Sequence, residues 1–203
     1  MKSFRDDNEL MNFAQRYIGE KLESLERDVN YCLKEPPYAP FPAILYCFSI
    51  IDLLGSFYCG EAHGRSKTSK NSAKYMRDMM NYSEDQCQLL QQIFRHKLVH
   101  LANPDTVYEY KGNRITWHYN HNDYTRFRHL KLQVVSPKGF IQPEYTKIKH
   151  TCTHYFWLGI KQLVEDIKQS VETPNGYYSK LKVDPALRKN LDDAVYEMFS
   201  PDT

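Results

Sequence analysis

The residues of this chain best suited to chemistry stand together in Phe94-Arg95-His96-Lys97-Leu98-Val99-His100. An imidazole can take up or release a proton near neutral pH. A guanidinium holds phosphate oxygens through its planar fork and stabilises charge that grows on them in a transition state. One permanent cation beside two titratable bases is what phosphate chemistry needs. Helical winding would bring the three side chains onto one arc. Leu90, Phe94, Leu98 and Leu101, with Cys87, form an apolar stripe. Arg95, His96 and His100 lie roughly opposite, with Gln88, Gln92 and Val99 among them. By itself this periodicity establishes a polar helix face, which an ordinary solvent-facing helix also has.

The surrounding elements must position that face. Ser83 followed by Gln86 is a capping-box signature, so the helix is expected over 84 to about 101, closed by Asn103-Pro104. Upstream, Leu10, Phe13, Tyr17, Leu22, Leu25 and Val29 follow helical spacing within 7–33. Pro36, Pro37, Pro40 and Pro42 separate that helix from a second, expected from about 43 to 60. On the second helix, Asp52, Gly55, Ser56 and Cys59 make a stripe of small or polar groups. Such a stripe admits a close neighbour and obliges some partner to satisfy Asp52. A carboxylate there could orient Arg95 or a histidine, or be a satisfied core acid.

A Ser/Lys-rich turn from His63 leads into a short third helix ending near Met80. Five Lys or Arg fall from Arg65 to Arg77 with no acid between them. Arg65 and Lys67 are therefore candidates for facing phosphate, against a merely solvated loop. Past Pro104 the character changes. TVYEY and RITWHY flank Lys111-Gly112-Asn113 as a hairpin would, and HLKLQVV reads as a third strand. Pro143 opens a long amphipathic helix expected to run to about Val171. Pro174-Asn175-Gly176 breaks it, and Asp184-Pro185 starts a last helix at about 185–199. The expected architecture is mainly α: one helical domain over 1–203 with a small antiparallel β insertion at about 105–135.

The chain's 203 residues carry a net charge of only +2, too little to announce a nucleic-acid ligand from the total. Locally the balance differs. Between Pro104 and Gln142 six Lys or Arg stand against three acids, a surplus larger than the whole chain's. There Tyr108, Tyr110, Trp117, Tyr119, Tyr124 and Phe127 interleave with Arg114, Arg126 and Arg128. Basic groups among aromatic faces suit single-stranded RNA, although aromatics alternating along a hairpin also serve plain sheet packing. Arg114, Trp117, Arg126 and Arg128 are the binding candidates.

Five cysteines without CxxC spacing suit a reducing compartment, and MKSFRDDNELMNF has no apolar core of a signal peptide. A cytoplasmic protein is expected. Phe41 to Gly60 nearly reaches bilayer length, but Asp52 near its middle favours a core helix over a membrane span. His96 and His100 could share a metal ion by spacing, yet Lys97 stands where the zincin pattern needs Glu. His150 and His154 have the same spacing with no second ligand pair evident. No metal and no cofactor are expected.

Arg95-His96-Lys97-Leu98-Val99-His100 resembles the signature of HEPN domains: Arg, a polar residue, a few more residues and His, near the end of a long helix. Arg95 matches the Arg, His96 the polar position and His100 the His. The capped helix and the earlier apolar helix bearing Asp52 also fit, and the resemblance covers about residues 7–172. The insertion and the last helix depart from the minimal bundle. The resemblance implies a HEPN-like helical bundle and a metal-independent endoribonuclease, often the toxin of a toxin–antitoxin pair or part of a defence system. It implies RNA as substrate, a homodimer with a composite cleft, and an antitoxin protein as a further partner. His100 would be the general acid/base, Arg95 would hold the scissile phosphate, and His96 would support both. A non-catalytic HEPN-like module that binds RNA, nucleotide or a protein is the other expectation.

Overall fold

Asp6 accepts a hydrogen bond from the Glu9 amide and so caps α1 (Asp7–Leu33). Its buried residues, Leu10, Ala14, Ile18, Leu22, Leu25, Val29 and Leu33, recur every three or four positions and form one stripe. Burying each large aliphatic side chain contributes about 1.5–3 kcal/mol. The computed structural model describes residues 4–62, 67–101, 107–120, 128–134, 140–142 and 150–200. After the prolines comes α2 (Pro40–Cys59), the central element, packed against α1, α3 (Thr68–Met80), α6 (Ile160–Glu172) and α8 (Pro185–Phe199). Among the described residues α2 alone is long and apolar enough to cross a bilayer, but more than half of its most apolar stretch is buried inside the protein. It is a core helix.

The small-residue stripe of α2 does what its composition requires. A Cβ on Gly55 would lie 2.9 Å from the backbone of Asn71 and Ser72, so α2 and α3 touch backbone to backbone there. Ser83 and Gln86 form the full capping box at the start of α4 (Glu84–Leu89). The helix then passes through a π-helical stretch, Leu90–Arg95, before α5 (His96–Leu101). Asp184 caps α8 through the amides of Ala186 and Leu187, with Pro185 behind it. The short helix α7 (Tyr177–Val183), between Gly176 and Asp184, has no counterpart in the sequence reading.

The β region corrects two expectations. The hairpin is there: β1 (Tyr108–Tyr110) and β2 (Asn113–Asn120) are antiparallel around Lys111 and Gly112, both at positive φ. Then β3 (Leu132–Val134) follows, and β4 (Phe140–Gln142) pairs with β5 (His150–Cys152) as a separate ribbon. The segment expected to be the first part of a long helix is instead β5 and β6 (His154–Gly159); α6 begins only at Ile160. In β6, Phe156 and Leu158 are buried while Tyr155 and Trp157 are half-buried on the other face. Strand alternation therefore wins over the helical period that runs on into α6.

Nor is the insertion purely antiparallel. β6 lies between β2 and β3 in the order β1-β2-β6-β3, parallel to β2 and antiparallel to β3. A parallel neighbour needs a long crossover rather than a hairpin, and the 121–153 stretch supplies it. The sheet therefore extends to Gly159, well past 135.

Gly55→Ala should lower stability by about 1–3 kcal/mol through overpacking of the α2–α3 contact. Urea denaturation with an unchanged m-value would register it; a midpoint equal to the parent's would mean the two helices part without cost.

Candidate active site

Arg95 closes the π-helical stretch, and its guanidinium turns towards α2 and α3 rather than outward. Its Nε donates to both carboxylate oxygens of Asp52 at 3.0 Å, and Nη2 donates to Oδ2 at 2.8 Å. Nη1 donates to Ser69 Oγ at 3.0 Å, and Ser72 Oγ donates to Asp52 Oδ1. The ion pair is mostly sheltered: 14% of the Arg95 side chain and 23% of the Asp52 side chain remain exposed. Gln91, buried within the π-helical stretch, donates to the Ser69 carbonyl and fixes the same corner of α3. A helical wheel places Arg95 opposite the core; the structure places it between helices, because the i→i+5 turn and the close α2–α3 contact bring an acid and two hydroxyls to meet it.

One N–H on each of Nη1 and Nη2 is left over among the described residues, since a guanidinium has five donors. Beside it, His96 is half-buried and His100 is exposed. Neither imidazole has a hydrogen-bond partner among the described residues. Burial, and then the positive charges of Arg95 and His100, push the His96 pKa below the usual histidine value; Asp52 opposes them, and Lys97 adds a smaller downward push. Arg95, His96, His100 and Asp52 are thus electrostatically one cluster. His96 is held towards its neutral, proton-accepting form.

The contrast with His129 is instructive. Gly159 donates its amide to His129 Nδ1 at 3.0 Å, so the ring proton sits on Nε2, 3.3 Å from Asp166 Oδ2. Tyr82 Oη and Gln162 Nε2 also donate to Asp166, each at 2.6 Å. Burial pushes the Asp166 carboxyl up, but these hydrogen bonds outweigh it and leave the pKa below its ordinary value. This satisfied network, absent from the sequence reading, joins the turn before β3 to α6 and to the start of α4. Four further bonds tie the sheet to α4: Gln86 donates to the Leu130 carbonyl, Gln88 donates to Tyr108 Oη, and Tyr110 and Lys111 both donate to Asp85. The β insertion is therefore bolted to the helix that carries Arg95 and His100.

The other candidates scatter. Arg65 and Arg126 lie outside the described residues. Lys67 pairs with Glu61 at 2.8 Å, and Arg114 lies 3.4 Å from Glu109 across the hairpin. Trp117 turns inward, between Phe41 and Phe94 and stacked on Tyr119, with its Nε1 buried and unbonded. Arg128 is exposed and lies over the ring of Trp157 at 5.0 Å. Among the described residues no three His, Cys, Asp or Glu converge on one point. The five thiols are unbonded, and burial pushes Cys47 up to about 12, which makes it inert near neutral pH.

Comparisons with models of known protein families, with curated proteins and with solved structures found no match in any of the three.

Asp52→Asn strands a sheltered guanidinium and should cost about 3 kcal/mol. The double variant Asp52→Leu/Arg95→Met removes both charges and should recover most of that loss. Equal unfolding midpoints for the parent and Asp52→Asn would show that the pair contributes nothing to the fold.

Proposed function

We propose that this chain is a metal-independent endoribonuclease with a HEPN-like bundle, acting at the Arg95–His96–His100 face. The observation that carries the reading is two imidazoles without partners, one helical turn apart, beside a guanidinium held at a fixed angle by Asp52. Protein interiors and clefts satisfy their polar rings, as His129 shows; these two are available to a substrate.

In the proposed reaction His96 accepts the proton of a ribose 2′-hydroxyl. The freed oxygen attacks the adjacent phosphorus, the bond from phosphorus to the 5′-oxygen breaks, and His100, protonated beforehand, passes its proton to that oxygen. The products are a 2′,3′-cyclic phosphate and a 5′-hydroxyl. The spare N–H groups of Arg95 receive a non-bridging oxygen as its charge grows. The requirement for a 2′-hydroxyl makes RNA the substrate. A cytoplasmic homodimer, with two such helices across a shared cleft, and an antitoxin protein as partner complete the proposal.

A second reading has its own support. The Nε/Nη2 edge of Arg95 is fully taken by Asp52, as in a structural ion pair. On that reading the module binds RNA, nucleotide or a protein without cutting.

Purified protein should cleave single-stranded RNA in excess EDTA, leaving cyclic-phosphate ends. His100→Ala and Arg95→Ala should each reduce the rate at least 100-fold with the far-UV spectrum unchanged. RNA bound but uncut by the parent would favour the second reading. The His96 pKa is lowered, so the base stays neutral further into acid: kcat/KM should fall only below the ordinary histidine range, and His96→Ala should remove that acid limb.

A further inference from the structure

The two faces of the sheet are unlike. Ile115, Trp117 and Tyr119 of β2, with Phe156 and Leu158 of β6, turn towards the helices, where Trp117 meets Phe41 and Phe94. The alternate residues, Arg114, Thr116 and His118 of β2 and Tyr155 and Trp157 of β6, turn the other way. The register sets Thr116 beside Tyr155 and His118 beside Trp157. The rings of His118 and Trp157 lie 4.3 Å apart, Tyr155 lies 6.0 Å from His118 and 6.2 Å from Trp157, and Arg128 lies over Trp157. His118 and Arg128 are exposed, as is Gln133, the β3 neighbour of Tyr155. Burial, and then Arg128, lower the His118 pKa, which keeps that ring uncharged and able to stack.

The outward face is therefore three aromatic rings on the two central strands, with Arg128 at one end and Arg114 towards the other. Four residues of strand separate Arg114 from His118, about 13 Å at the rise of an extended chain. Four-stranded sheets that recognise single-stranded RNA use this plan, stacking two or three bases on aromatics while cations hold the backbone. The charge is complementary, since the 105–141 stretch has twice as many cations as acids. The sequence alone pointed to Trp117 as the stacking residue; the register turns Trp117 inward and presents Trp157.

We propose that the outward face of the sheet, formed by His118, Tyr155, Trp157 and Arg128, binds single-stranded RNA by base stacking. It deepens the ribonuclease reading by supplying a substrate-holding surface apart from the Arg95 face, and it can stand or fall without it.

The chain's two tryptophans lie on opposite faces, which gives a direct test. A 2′-O-methyl oligouridylate, which has no free 2′-hydroxyl and so cannot be cut, is titrated against Trp117→Phe and Trp157→Phe. Emission should be quenched in Trp117→Phe, where Trp157 remains, and nearly unchanged in Trp157→Phe. Tyr155→Ala should weaken binding at least fivefold, as loss of one stacked base does. The surface change Arg128→Ala should reduce the slope of log affinity against log salt by about 0.7. A duplex of the same length should compete poorly. Unquenched Trp157 emission, with affinity unaltered in Arg128→Ala and His118→Ala, overturns the proposal and points to a protein on this face. If the parent still cleaves RNA in that case, the ribonuclease reading survives. If binding is as described and cleavage is absent, only the ribonuclease reading fails.

Discussion

A charge taken out of water between three helices is the constraint to which the rest of the structure answers. Desolvating a guanidinium and a carboxylate costs several kcal/mol per ion, and mutual attraction offsets that only with close geometry and further hydrogen bonds. Here the geometry is bidentate, and Ser69 and Ser72 supply the further bonds. Neither serine could reach the pair if α3 stood at ordinary helix spacing. The absence of a side chain at Gly55 lets α3 come in, and the π-helical turn aims Arg95 at the gap. Each feature makes sense only with the others, so the cluster behaves as one unit joining α2, α3 and the motif helix.

What the pair does for chemistry follows from its neutrality. Asp52 cancels most of the long-range field of Arg95, so the guanidinium offers direction more than net charge. In the proposed reaction it orients a phosphate through its spare donors, while the proton traffic falls to His96 and His100. The buried Tyr82–Asp166–His129 network has the same residue types and a different purpose. Every polar atom in it that matters is committed, His129 by a backbone amide, and it fastens sheet to bundle. Commitment of the ring nitrogens, more than residue identity, separates the structural histidine from the candidate catalytic ones.

Much of this was legible in the sequence where the signal is local. The α1 stripe, the Ser83–Gln86 box and the Asp184-Pro185 start each depend on neighbours within a turn or two. That Asp52 needed a partner was also legible, because an acid on a stripe of small residues in an apolar helix cannot be left bare. Ser69 and Ser72 were not, since a hydroxyl has no periodic signature and their role comes from how closely two helices approach. β6 was misread because its apolar spacing runs smoothly into α6, while the strands that complete its ladder lie over thirty residues upstream or beyond the crossover. The direction of Arg95 was misread for a related reason: an α-helical wheel cannot anticipate a π-helical turn that tertiary contacts impose.

The misread strand matters most for function. With β6 as helix, the aromatics of the insertion would belong to an isolated hairpin and Trp117 would be its obvious contact. With β6 between β2 and β3, a sheet has an inside and an outside, and the same alternation that buries Trp117 and Phe156 lifts His118, Tyr155 and Trp157 to the far side. A neutralised Arg95 leaves any polyanion to be gathered by other cations. Arg128, exposed beside those rings, is placed to do so, and the bonds from Asp85, Gln86 and Gln88 to the sheet fix that surface relative to the helix bearing His100. Gathering, orientation and proton transfer are thus divided among three groups of side chains on one rigid connection, and none of the three needs to do the work of another.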